Sequence, residues 1–154
     1  MASGTLIVDQ VTKWAIVEFV MRPGQRIAVL PFFNLVLGFN PGISFGMFRE
    51  TLDDFPYAFS LVKLTIVGLL AWLLARSDDR WERVGFGLMI GGALGNVADR
   101  LRIGAVVDFL DFHIAGWHWP SFNLADAALS IGVMIMLLRS LRGNVTTESS
   151  ARRS

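Results

Sequence analysis

Nineteen consecutive residues, Tyr57–Ala75 (YAFSLVKLTIVGLLAWLLA), carry a single charge, that of Lys63. A hydrocarbon layer about 30 Å thick takes roughly 20 such residues as a helix, so this run sets the environment before any other feature is weighed. Two more runs follow. Val84–Ala98 is uncharged between Arg83 and Asp99 and can continue helically into Leu101. Pro120–Leu138 carries one charge, Asp126, and opens on Pro120 and Ser121, which suit a first helical turn and its cap. An initial helix over about 1–20 is apolar but broken by Asp9, Gln10 and Lys13. The expected class is therefore a mainly α, polytopic membrane protein built as a four-helix transmembrane bundle.

Composition agrees. The chain is 53% hydrophobic, with a mean hydropathy of +0.52, too apolar for an ordinary soluble domain. A net charge of +1 offers no nucleic-acid-binding surface. The absence of cysteine excludes disulfides, thiolate metal sites and a cysteine nucleophile. No basic residue lies in Met1–Leu6, so no cleavable signal peptide is expected there. Lys63, six residues into helix two, is expected to snorkel to the outer interface.

Between the first two helices, VLPFFNLVLGFNPGISFGMF (29–48) changes character, with turn signals at Pro31, Gly38, Asn40-Pro41-Gly42 and Gly46. It reads as short strands forming a small extracytoplasmic sheet. Residues 1–142 form one integral-membrane domain on this reading, and the polar stretch 143–154 a disordered tail. Orientation follows the basic residues: seven arginines lie in the 76–83 loop and after Leu138, against five in 21–56 and 99–120. The short loop and the C-terminus are thus expected in the cytoplasm. Asp99, Asp108, Asp111 and Asp126 then gather at the outer end of helices three and four.

Charged groups inside a membrane are costly and face a bundle interior or a watery cavity. Asn96, Asp99 and Arg100 stand at i, i+3 and i+4 and share a helix face, as do Asn123 and Asp126. Asp99 and Arg100 could simply pair at the interface. Asp126 is harder to explain away, since it lies inside a helix with no basic residue three or four positions off. Two carboxylates held together cannot both ionise and come to share a proton, so one can activate water while the other protonates a carbonyl or leaving amine. Asp108 and Asp126 suit that pair, with the 102–120 connection folding one over the other. The glycines of GFGLMIGGALG (85–95) are no nucleotide loop, because Ile90 stands where G-x-G-x-x-G needs glycine. Gly87, Gly91 and Gly95, four apart, instead let helices approach closely. Asp111, His113 and His118 are poor zinc geometry, and an interfacial aromatic belt explains Trp117 and Trp119 more simply. No metal or cofactor is expected.

Taken together, DQVTK (9–13), NPGISFG (40–46), GGALGNVADR with GAVVDF (91–109) and FNLAD (122–126) resemble the lipoprotein signal peptidase (signal peptidase II) family, in its order and spacing over nearly the whole chain. The resemblance implies a multi-pass aspartyl endopeptidase of the bacterial cytoplasmic (inner) membrane. It would cleave diacylglyceryl-modified prolipoproteins just before the lipidated cysteine, act as a monomer among membrane lipids and bind no nucleic acid. Asp108 and Asp126 match the catalytic pair. Asp9 and Lys13 of DQVTK, Asn40 and Gly42 of NPGISFG, Asn96, Asp99 and Arg100 of GNVADR, and Asn123 of FNLAD match its supporting and substrate-binding residues. In that arrangement Asp99 would hold Arg100 in place. The family usually has most of a spanning helix before DQ-x-TK. Here eight residues precede Asp9, about 12 Å at 1.5 Å per residue, so a short first helix is expected. The rival readings are an intramembrane ion or proton pathway and a non-catalytic packing subunit. The first would place polar residues at several depths, and the second leaves Asp126 without a role.

The orientation is testable with single cysteines at Arg80 and Trp117 and a membrane-impermeant thiol reagent on intact cells. Labelling is expected at 117 and not at 80; the converse inverts the topology.

Overall fold

The structure, a computed structural model, describes residues 1–41 and 58–151, without the side chains of 58–60, 63 and 142–151. Residues 42–46 of NPGISFG, Gly42 among them, and the Lys63 side chain therefore lie outside the described residues. Helix α1 (Ala2–Ala15) runs on into a π-helical turn over Ile16–Val20. Strands β1 (Arg26–Leu30) and β2 (Phe33–Asn40) follow, then helices α2 (Ala58–Arg76) and α3 (Arg80–Ile103). Strands β3 (Val106–Ile114) and β4 (Trp117–His118) precede helix α4 (Leu124–Ala151).

Helix α3 is the axis of the molecule and packs against α1, α2 and α4. Its limits are set locally. The Asp79 side chain accepts from the backbone N–H of Trp81 (2.8 Å) and Glu82 (3.0 Å), and Gly104 ends the helix in the left-handed region at φ 75°. Arg139 of α4 donates to the same Asp79, which ties the two helices together at that end. The glycine-rich face does what its spacing suggests. A Cβ at Gly91 would stand 2.6 Å from Thr5 Cβ of α1, and one at Gly92 would strike the Ala125 carbonyl of α4.

Polarity is arranged inside out. Leu61, Val62, Leu64, Ile66, Leu69 and Trp72 of α2 are exposed, as are Ile131, Met134, Leu137 and Leu141 of α4. Asp9, Lys13, Asp99 and Asn123 are fully buried. In water charged residues are almost never fully buried unless paired, and apolar patches of this extent mark a surface made for another apolar phase. Of the full-length spans expected from the sequence, Leu124–Leu141 of α4 is long and apolar enough to cross a membrane among the described residues; Leu64–Arg76 of α2 is shorter. Helix α3 has the length, but glycines dilute its apolar character and charges occupy both ends.

The sheet is antiparallel in the order β1-β2-β3-β4, so its central strand β3 comes from between the third and fourth helices. The sheet is thus not confined to the stretch between the first two helices, and 102–120 is more than a connection. Asp108 and Asp111 interrupt the apolar run VVDFLDFHI and hide its strand character. Val107 and Phe109 pack with Ile16, Met21 and Leu37 into a core beneath the sheet. A bulge between Leu35 and Gly38 re-aims β2 so that Gly38 pairs with Asp108 and Asn40 with Val106. Helix α4 is continuous through Gly143 to Ala151. One glycine costs a helix about 1 kcal/mol relative to alanine, too little to end it.

Gly92→Ala should force α3 from α4 and lower stability by about 1–3 kcal/mol, the usual cost of overpacking. Gly68→Ala on the exposed face of α2, with nothing within 4 Å, should be neutral or stabilising by up to about 1 kcal/mol. Thermal unfolding of both variants in one detergent checks the contrast; equal melting temperatures would refute the close-packing account.

Candidate active site

Where α1, α3, α4 and β3 converge, a single cation is surrounded by acceptors. Lys13 Nζ lies 2.9 Å from Asp9 Oδ2, 2.8 Å from Asp99 Oδ2 and 3.1 Å from Asn96 Oδ1, and all four side chains are buried. Three donors on an ammonium thus meet three acceptors. One cation against two carboxylates leaves a formal charge of −1, which further donors hold. Asp9 accepts from the Ala125 backbone N–H at 2.9 Å, and Asp99 from Gln10 Nε2 at 2.9 Å and Val107 N–H at 3.3 Å. Gln10 also reaches Asp9 (3.2 Å) and the Gly95 carbonyl (3.1 Å). Gln10 was not among the residues singled out from the sequence, although it stands inside DQVTK and pointed to the same cluster.

From this cluster the network runs outward to two carboxylates. Lys13 has only protons to give, so it fixes the Asn96 carbonyl oxygen towards itself and turns the Asn96 amide outward. That amide donates to Asp126 Oδ1 at 2.8 Å. Asn123 Nδ2 donates to Asp108 Oδ1 at 2.7 Å and to Asn96 Oδ1 at 3.3 Å. Asn40 Nδ2 closes the other side of Asp108, at 3.1 Å from Oδ2. Asn123 and Asp126 also cap α4 reciprocally. The Asp126 N–H donates to Asn123 Oδ1 (3.1 Å) and the Asn123 N–H to Asp126 Oδ2 (3.3 Å), a capping box with Asp in the Glu position. The local signal that starts the helix therefore also aims the carboxylate.

Asp108 is buried on β3, and burial raises its pKa above the ordinary carboxylate value. The nearby charge of Asp126 adds to the rise, while hydrogen bonds from Asn40 and Asn123 oppose it. Arg100 is half-buried within electrostatic reach of Asp108, Asp126 and Asp99. Its Nη1 donates to the Asn96 backbone carbonyl at 3.4 Å, and its buried Nε has no partner among the described residues. The expectation that Asp99 holds Arg100 is corrected: Asp99 turns to Lys13. Adjacent helical residues do not face each other, so positions 99 and 100 serve opposite purposes.

The structure thus brings Asp9, Lys13, Asn40, Asn96, Asp99, Arg100, Asp108, Asn123 and Asp126 to one end of the helices. Asp111 goes elsewhere. It lies on the odd-numbered face of β3, accepting from Asn34 Nδ2 at 2.9 Å and hydrogen-bonded to His118 Nδ1 at 2.8 Å, with Arg26 at 4.0 Å. Burial works to raise its pKa, but Asn34, His118 and Arg26 outweigh that and hold it below the ordinary value. His113 stacks on His118 at 4.9 Å. The set pins β4 and β2 to β3.

Residues 1–142 match the Signal peptidase (SPase) II family. A lipoprotein signal peptidase of Thermodesulfovibrio yellowstonii is 39% identical over 137 residues, covering 89% of each chain. One from Paraburkholderia phymatum is 41% identical over 138 residues, covering 89% of this chain and 82% of its own. A solved structure described as a bacterial membrane enzyme superposes with a TM-score of 0.78 at 32% identity, over 93% of this chain and 86% of that one. A second such structure gives 0.78 at 33% identity, over 91% and 89%.

Lys13→Met should leave Asp9 and Asp99 as uncompensated buried charges and cost about 3–5 kcal/mol of stability. Val11→Ala, on the exposed side of α1, is the control. If both variants unfold at the same temperature, the buried cation is not what holds these elements together.

Proposed function

The chain belongs to the signal peptidase II family, which removes signal peptides from prolipoproteins, and from that premise we propose that it does so as an aspartic endopeptidase with Asp108 and Asp126 as the catalytic pair. The observation carrying the proposal is the pair itself: two carboxyl groups from different elements, within each other's field and each met by side-chain amides. One proton shared between them suffices for peptide hydrolysis. The ionised member takes a proton from water as it attacks the scissile carbonyl, and the protonated member gives its own to the carbonyl oxygen; as the C–N bond breaks, the first passes water's proton to the leaving amine and the second recovers its proton from the hydroxyl of the forming acid. Burial favours Asp108 as the proton-bearing partner, and Asp126, half-buried at the head of α4, as the base.

Asn40, Asn96 and Asn123 act as positioning residues, holding the carboxylates without competing for the proton. The Arg100 guanidinium, with Nε unspent, suits a substrate carbonyl or the developing oxyanion. Asp9, Lys13 and Asp99 support the pair from below, and the family motif gives Gly42 a supporting part as well. The exposed apolar faces of α2 and α4 support a multi-pass inner-membrane enzyme. The arginine bias supports an outward site and a cytoplasmic C-terminus. Every proposed site residue comes from one chain, so a monomer suffices. The substrate would be cleaved just before its lipid-modified cysteine.

Asp108→Asn and Asp126→Asn should each cut cleavage of a diacylglyceryl-modified peptide by at least about 10²–10⁴-fold while the protein still folds, and the double variant should be scarcely worse than either. If Asp108 is the acid, activity falls as pH rises through its raised pKa. Asn40→Ala removes a hydrogen bond that favours the carboxylate, so this alkaline limb should move to higher pH. Substantial turnover by Asp126→Asn, or an alkaline limb that moves down in Asn40→Ala, would defeat the assignment.

A further inference from the structure

Alternate residues of a strand share a face, so Asp108, Leu110, Phe112 and Ile114 of β3 point to one side. The bulge belongs to β2 and leaves that alternation intact. Beyond Leu110 the face opens into a groove of about 390 Å³ lined by Phe32, Phe112, Ile114, Trp117, Trp119 and Phe122, together with His113 of the opposite strand parity. Phe112 is held between Phe33, with ring centroids 4.8 Å apart, and Phe122, at 5.9 Å. Even so Phe112 is 40% exposed, Trp117 60% and Trp119 57%. The groove is a rigid aromatic surface left open.

Its position relative to the carboxylates limits what it can hold. Strand β3 has no free edge here. Strand β2 covers one side; on the other, the Trp119 N–H donates to the Phe112 carbonyl at 2.8 Å and the Phe122 N–H to the Leu110 carbonyl at 3.1 Å. A ligand cannot add as a further strand against β3 and must be recognised through side chains. From Asp108 to Phe112 the strand advances about 13 Å, the length of four residues of extended peptide. Asp126 stands in the first turn of the apolar helix α4, which runs away from it, and Asp108 stands near the start of β3, which continues to Ile114. A signal peptide follows the helices, so the chain lying along the sheet is the part beyond the scissile bond.

We propose that this groove is a specificity subsite for an apolar side chain of the substrate about four residues beyond the cleaved bond, on the mature side of the lipid-modified cysteine. The inference rests on the reading of Asp108 and Asp126 as the catalytic pair and on the groove's continuity with Asp108 along one face of one strand. It predicts that the enzyme distinguishes prolipoproteins by the first few residues of the mature chain.

The test uses the full chain in detergent with two diacylglyceryl-modified peptides that differ only at the fourth residue after the cleaved bond, leucine or glycine. The leucine peptide should show a KM lower by about three- to tenfold, less than full enclosure of the side chain would give. Trp119→Ala and Phe112→Ala should each raise the leucine peptide's KM to that of the glycine peptide. Trp119 is mostly exposed, so it reports even if loss of the packed Phe112 unfolds the sheet. Equal KM values for the two peptides with the unmodified enzyme, at this position and its two neighbours, would overturn the proposal. So would a loss in both variants that is equal for both peptides and seen in phospholipid vesicles but not in detergent, because the groove would then be a bilayer anchor. Asp126→Asn runs alongside: turnover by that variant removes the catalytic pair itself, a failure distinct from an unselective groove.

Discussion

The buried Lys13 ammonium is the contact on which the other parts depend. It joins α1 to α3 through Asp99 and Asn96, and its partner Asp9 reaches α4 through the Ala125 N–H. Asp99 extends the cluster to β3 through the Val107 N–H. Four elements thus share one ionic centre, with α1 far in sequence from the other three. Removing charges from water carries a penalty that Coulomb attraction repays only when geometry and additional hydrogen bonds are good. Gln10, Ala125 and Val107 supply those bonds, and the Gly95 backbone comes near enough to the Asp9 carboxylate to leave no room for a Cβ.

A centre of this kind also gives direction to a chain of amides. Asn96 on its own could present either end of its side chain to Asp126. With Lys13 as neighbour it can present only N–H. Asn123 carries the same polarity on to Asp108 while serving as the cap of α4. Folding and the proposed chemistry therefore use the same atoms, and a substitution at Asn96 or Asn123 acts on both at once. Asp126 is tied to the same cap as the far half of its capping box.

The sheet divides labour by strand parity. Odd positions of β3 turn Val107 and Phe109 into the core and Asp111 into a pinned cluster with Asn34 and His118. Even positions carry Asp108 and then the aromatic groove. Asp108 and Asp111 are three residues apart, so they take opposite faces and opposite environments. Burial raises the pKa of the first, and donors lower that of the second. Register alone thus gives two similar aspartates opposite environments.

Apolar runs and helix-spaced glycines are statements about neighbours within a few residues, and these were determined by the amino-acid sequence itself. So was the suspicion attached to Asp126, since a charge inside an apolar helix without a local partner is anomalous wherever the helix goes. The cap of α4 it pointed to at Ser121, whereas Asn123 and Asp126 form it and the helix starts at Leu124. The strand character of Val106–Ile114 was not legible, because its alternation is broken by the two aspartates that give it its roles. Nor was the partner of Asp99: Arg100 lies next to it in sequence, while Lys13 is far away in sequence and 2.8 Å away in space. Local spacing records which way a side chain points around its own axis. Which cation waits there is decided by how helices pack, and here that depends on glycines that let α1 and α4 approach α3 closely enough for one ammonium to serve three acceptors.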